Sequence, residues 1–296
     1  MMRTSLFFAL ALALGTAASL VPVDAAAQSA REVRASAEAS MVLTGSIEVT
    51  AEGAVSGLVL DQRASLSAPI AALVEDTIRS WRFEPTLQDG KAVATRSPMR
   101  VRLRGTQMVE GSMQVRIASV DFSEYDPEAT DVVTNLRIVA PRYPKAALSM
   151  GGQGEAMLLL KIDRTGAVVD AIAEQVNMTV AGSGPAMDRL RGILAKASIA
   201  AARKWTFRPP TTGADAQRDS WTVRVPVRYA LGDQRTDEAA SYGRWQAFIP
   251  GPRQTAPWRT QEDAAEAGSD LLPAGGVYMV DGTKRGLRLL TPLAQG

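Results

Sequence analysis

The chain has 296 residues, 46% of them hydrophobic and 22% charged, with a formal net charge of +2 and neither cysteine nor histidine. That length predicts about two domains, and the composition supports packed cores rather than wholesale disorder. The charge is too small for nucleic-acid binding by counterion release, and the missing thiols and imidazoles exclude disulfides, Cys- or His-ligated metals and a Ser-His-Asp triad.

Residues 1–27 read as a secretory signal peptide. Arg3 supplies the positive start, residues 6–14 form an apolar run, and Ala25-Ala26-Ala27 places small residues before Gln28. An uncleaved anchor is the alternative, but a span needs about 20 apolar residues and the second half of this stretch is weakly apolar. The expectation is export to the periplasm with no integral membrane span after cleavage. Residues 28–40 follow as a short linker.

A first folding unit is predicted over residues 41–106. A strand at 41–50 leads through Ala51-Glu52-Gly53 into a second strand at 54–60. Ser67 is placed to cap a helix with Pro69 in its first turn, and Ile70, Leu73, Val74, Ile78 and Trp81 recur at helical spacing. The helix gives way to Trp81-Arg82-Phe83-Glu84-Pro85, and a strand at 98–103 closes the unit. Residues 107–137 are a linker with a candidate extra strand at 113–120 and an acidic run at 121–128 that reads as a solvated loop. Calcium is not expected there, because Asp121, Glu124, Asp126 and Glu128 lack the glycine and terminal glutamate of a calcium loop.

A second unit, residues 138–231, repeats the order. It has a strand at 155–162, a turn ending on Gly166, a strand at 167–174 and a helix opened by Pro185. Met187, Leu190, Leu194, Ala197, Ala201 and Trp205 mark that helix's apolar face. Trp205-Thr206-Phe207-Arg208-Pro209 repeats the earlier exit, and a closing strand at 221–231 alternates apolar and polar residues. Pro226 cannot donate to a ladder, which places this strand at an edge or that residue facing outward. The fold class expected is α+β: two small two-layer β-β-α-β units, each an antiparallel sheet under one helix. Residues 232–296 have no counterpart in the repeat. Trp245 and Trp258 stand out as isolated apolar anchors, and 277–290 is a candidate late hairpin. Docking on the chain's own units is the first reading of this tail; a partner-binding or disordered tail is the alternative.

The second unit resembles a known family. Pro141-Arg142-Tyr143-Pro144-Lys145-Ala146-Ala147 is similar to the opening of the TonB C-terminal domain. Ile162-Asp163-Arg164-Thr165-Gly166-Ala167-Val168 is similar to its hairpin, and residues 200–209 to its helix exit. The first unit resembles it more weakly, without the P-x-Y-P opening. The resemblance implies a periplasmic module that recruits a segment of a periplasmic or outer-membrane protein by strand addition, with a link to outer-membrane transport. It implies no enzyme activity and no cofactor. The alternative is a structural, peptidoglycan-associated envelope module.

Trp81, Phe83, Pro85, Pro144, Gly166, Trp205, Phe207 and Pro209 are expected to be structural. Tyr143, Arg224, Arg228 and Tyr229 are the candidate partner-binding residues. Arg100, Arg104, Arg224 and Arg228 are expected on solvated strand faces, with contact to an acidic peptide or polymer as the functional alternative.

Overall fold

The computed structural model describes residues 37–107, 113–232, 242–260, 270–282 and 285–293. The expected signal peptide and most of the linker after it lie outside the described residues. The chain is a mixed α/β fold built mostly from antiparallel sheet with few helices.

The first sheet is centred on β1 (Glu38–Val49). β2 (Val55–Leu60) returns along one side of it, and β5 (Thr95–Gln107) pairs along the other for nearly its whole length. β6 (Met113–Asp121) extends the sheet beyond β5 and occupies the stretch expected to carry an extra strand. A small hairpin, β3 (Thr86–Gln88) and β4 (Lys91–Val93), stands apart. Helix α1 (Ala68–Arg79) packs Ala71, Val74 and Ile78 inward, while Leu73 stays 37% exposed. Ser67 occupies the cap position, but its side chain makes no capping bond. The acidic run is less solvated than expected: Asp121 and Phe122 are buried, and the Phe122 ring meets Trp81 and Phe83 edge-on at 6.2 and 5.1 Å.

The second sheet is centred on β8 (Gly154–Asp163), with β9 (Val168–Met178) on one side and β11 (Ser220–Tyr229) on the other. β7 (Thr134–Arg137) pairs with β10 (Thr206–Arg208) beside it. A one-turn helix α2 (Lys145–Ser149) follows Pro144. Helix α3 (Gly184–Ala202) covers one sheet face with Met187, Leu190, Leu194, Ser198 and Ala202. Toward the C-terminal end the fully buried stripe therefore advances by four residues to Ser198 and Ala202, with the expected Ala201 half-buried at its margin. Ser198 is tolerated inside because its hydroxyl donates to the Leu194 carbonyl and also bonds the Tyr229 hydroxyl.

Both sheets lock their first turn onto the helix exit in the same way. Gly53 and Gly166 have φ of 83° and 82°. Their carbonyls accept from the Phe83 and Phe207 amides, each at 2.9 Å. A Cβ on either glycine would sit 2.1 or 2.0 Å from the facing Phe carbonyl oxygen. Only glycine fits a left-handed position against backbone so close. Trp81, Phe83, Trp205 and Phe207 are all buried at these joints.

The tail binds both sheets together. β12 (Gln246–Phe248) pairs with the start of β1, and the next residue, Ile249, exchanges two backbone bonds with Met178 at the end of β9. The chain then follows the β9 side, where Gln254 donates to the Glu174 carbonyl. β13 (Tyr278–Met279) reaches the far side and pairs with β11. Among the described residues of 277–290 the expected hairpin pairing is not present: Tyr278 and Met279 pair with β11, and Leu289 bridges Phe83 in the first sheet. The two halves of that stretch each satisfy their backbone on an older edge instead of on each other.

Candidate functional site

The feature that bears on recognition is the outer side of β11. The Val280 amide donates to the Thr222 carbonyl, so Thr222 turns its backbone away from β8. Strand parity then turns Arg224, Pro226 and Arg228 the same way. Pro226 therefore sits where its missing N–H costs the β11–β8 ladder nothing, as an edge position requires. β13 pairs there with Val223 and Arg224 over two residues. Its side chains alternate between faces. Met279 joins Val223 in the core under α3, while Tyr278 packs with Met157 and Leu272 on the opposite face, and Val280 with Leu159 and Ala256.

That opposite face was expected to be solvated, and the placement of Arg224 is corrected. Arg224 is 5% exposed and grips Glu174 with two bonds of 2.6 and 2.8 Å, reaching across β8 from β11 to β9. Arg253 adds a longer contact to the same carboxylate at 3.5 Å. Burying a charge demands such a partner, and the planar guanidinium matches a carboxylate two-pronged. Residues 253–258 and Val280 close over this face, with Trp258 donating to the Thr222 hydroxyl.

Arg228 is the candidate arginine that stays exposed; its side chain is 40% exposed and lies 3.7 Å from the Glu155 carboxylate. Burial pushes the Glu155 carboxyl up to about 6, while Arg228 and Arg102 nearby pull it down. Tyr229 is corrected to the interior, 3% exposed, with burial raising its phenol. Its ring meets Tyr143 edge-on at 5.5 Å. Tyr143 itself is half-buried and donates to the Gly152 carbonyl. Pro144 caps α2, Pro85 is exposed and Pro209 half-buried. The structure thus brings Tyr143 and Tyr229 together in the core and separates them from Arg224 and Arg228.

The arginines of the first sheet are engaged as well. Arg102 lies over the Phe248 ring at 4.0 Å and bonds the Ser40 hydroxyl, with Asp270 at 3.7 Å. Arg104 pairs with Glu38 at 2.9 Å. A cleft of about 560 Å³ opens beside this region, with Arg100, Asp121, Tyr125 and Tyr278 among its walls. Burial raises the Asp121 carboxyl, which accepts from Ser123. Asp126 of the acidic run pairs with Arg285, and among the described residues no three acidic side chains converge to hold a metal ion.

Sequence reading missed Glu174, Glu155 and the pairing of Tyr278 with β11. The acidic partners carry no local signal, since each is defined by a strand distant in sequence. Tyr278 and Met279 were visible as β-formers, but their partner was not.

Among the described residues, no helix is long and apolar enough to cross a membrane. No solved structure matches the chain. Two curated relatives match, each named Protein TonB, from Xanthomonas campestris pv. campestris strains B100 and ATCC 33913. Each is 37% identical over 91 residues, covering 31% of this chain and 34% of the relative. The chain thus spans about a third of the length of the relatives it matches. The sequence model of the family described as Gram-negative bacterial TonB protein C-terminal matches residues 139–231, so the second sheet, its helix and its β11 edge are the part of this chain that resembles that family.

Proposed function

We propose that this is a TonB-like cell-envelope protein, exported to the periplasm with its leader removed, that binds an extended segment of another envelope protein as an added strand on β11. In this reading it serves outer-membrane transport as a binding module and performs no catalysis. The observation that carries it is that the outer side of β11 already accepts an antiparallel strand from a distant part of the chain, over two residues, on the side where the buried Pro226 lacks an N–H. An edge that takes one extended segment has the backbone geometry to take another. The match of residues 139–231 to the TonB C-terminal family supports the class of partner. The Gly53–Phe83 and Gly166–Phe207 bonds support reading the first sheet as a degenerate second copy.

The test is NMR of the full chain titrated with synthetic peptides from the periplasm-exposed segments of outer-membrane transporters. Binding should move the amides of residues 222–225, 227 and 228. Thr222→Pro, which deletes an outward N–H, should abolish it, whereas Thr222→Ala should retain it. Binding that is indifferent to Thr222→Pro, or retention of the protein on purified sacculi without any peptide binding, overturns this reading in favour of a structural envelope module.

A further inference from the structure

We infer that the tail strand around Tyr278 is a resident, displaceable occupant of the β11 edge, and that its sequence is the template for the partner strand that replaces it. This rests on the strand-addition reading above and specifies both its regulation and its ligand.

The argument starts from how little backbone holds the segment. β13 pairs only Tyr278 and Met279 with β11, and the Val280 amide adds one donation to the Thr222 carbonyl. β8, by contrast, pairs with β11 along Ser220–Tyr229. A strand this short draws its stability from side chains. Tyr278 sits against Met157 and Leu272, with the Tyr125 ring at 6.1 Å, and Val280 sits against Leu159 and Ala256. Met279 enters the core beside Val223. These three positions define what the edge selects. The partner carries an aromatic residue, a flexible apolar one and a β-branched one in succession, with the first and third on one face. That pattern is the alternation of a half-buried strand.

Displacement is possible because the tail is joined to the sheet through the chain and not through the ladder alone. Gly275 and Gly282 flank the strand in the left-handed region, with φ of 83° and 81°, conformations open to glycine on either side of a three-residue contact. While it is docked, the edge is competent only in the fraction of molecules whose tail has lifted, and an external strand's apparent affinity falls by that fraction. A tethered strand also competes at a high effective concentration, on the order of millimolar for a short tether. The resident strand therefore sets a threshold: weakly matching segments are refused, and one that matches the Tyr278–Val280 pattern at high local concentration gains entry.

The absence of cysteine allows a clean lock. Thr222 and Val280 form a hydrogen-bonded pair, so Val223 and Met279 face each other as the closer, non-hydrogen-bonded pair, within the reach of a disulfide. Full-length wild type, Val280→Pro and the double variant Val223→Cys/Met279→Cys are compared for binding of a labelled peptide of residues 273–282. Val280→Pro should bind about ten-fold more tightly than wild type or better. The oxidised double variant should not bind, and reduction should restore binding. Oxidised and reduced forms binding equally would overturn the inference. Hydrogen exchange of the unlabelled wild type separates the two possible failures. If the Val280 amide is as protected as those of Leu158 and Leu160, the tail is a permanent strand and the inference fails by itself. If Val280 exchanges far faster than they do and yet no form takes the peptide, strand addition at β11 is what fails.

Discussion

Arg224 and Glu174 form a charge pair buried between a sheet face and the tail that covers it. Removing one partner strands the other in a medium of low polarity. Arg224→Ala should therefore cost about 3–5 kcal/mol in urea unfolding. The paired replacement Arg224→Met with Glu174→Met should cost far less than the sum of the single changes, because neither charge is left behind. Glu155 behaves oppositely to a well-paired carboxylate. Its folded-state value, raised to about 6 by burial, lies above that of the unfolded chain, so the folded protein holds the proton more tightly. Its contribution to stability is fully present below the unfolded value and is lost as the pH rises through about 6. Glu155→Gln should accordingly stabilise the protein at pH 7.5 by about 1–2 kcal/mol and leave it unchanged near pH 4. Denaturation midpoints at the two pH values check this; a loss of stability at pH 7.5 would show that the Arg228 contact outweighs burial.

At the level of elements, helix α1 buries a stripe narrower than its apolar residues suggest. Val74 is fully enclosed, whereas Leu73 beside it is 37% exposed. Val74→Ala should cost about 2 kcal/mol, and Leu73→Ala less than about 1 kcal/mol, in thermal or urea unfolding. The elements themselves were largely legible. Glycine at the turns, the helical spacing before each tryptophan and the alternation in β11 each encode local geometry within a few residues. Legibility stopped where a helix had more apolar residues than the sheet beneath could cover. At the C-terminal end the apolar spacing pointed one residue off the fully buried row, since Ser198 and Ala202 are enclosed while Ala201 packs only at the margin of the core, because packing follows the rows of residues four apart that lie over the sheet. The site was less legible than the fold. The outward position of Pro226 followed from its missing N–H, but the occupant of that edge and the burial of Arg224 depended on a tail with no repeat pattern.

Over the whole molecule, the tail joins the two sheets into one body. β12 extends the first sheet, Ile249 bonds Met178 in the second, and Leu289 returns to Phe83 in the first. Arg102 over the Phe248 ring and its contact with Asp270 add side chains to the same joint. Cooperative unfolding follows from such shared packing, so calorimetry of the full chain should show a single transition with equal calorimetric and van't Hoff enthalpies. Ile249→Pro removes one of the two bonds to Met178 at the crossing and should split or broaden that transition. Two separated transitions in the wild type would show that the sheets are independent and that the tail merely drapes over them.

The sequence by itself determined the main units of structure: the strands on either side of the Gly53 and Gly166 turns, the two long helices, the closing strands, and which tryptophans close each core. Those features depend on interactions between residues close along the chain or at a fixed period within it. Only the tertiary structure decided which sheet face meets solvent, which arginines find carboxylates, and what lies along the free side of β11. Those outcomes depend on where residues 242–293 come to rest, and a segment without periodicity is positioned by the surfaces already built, not by its own local preferences.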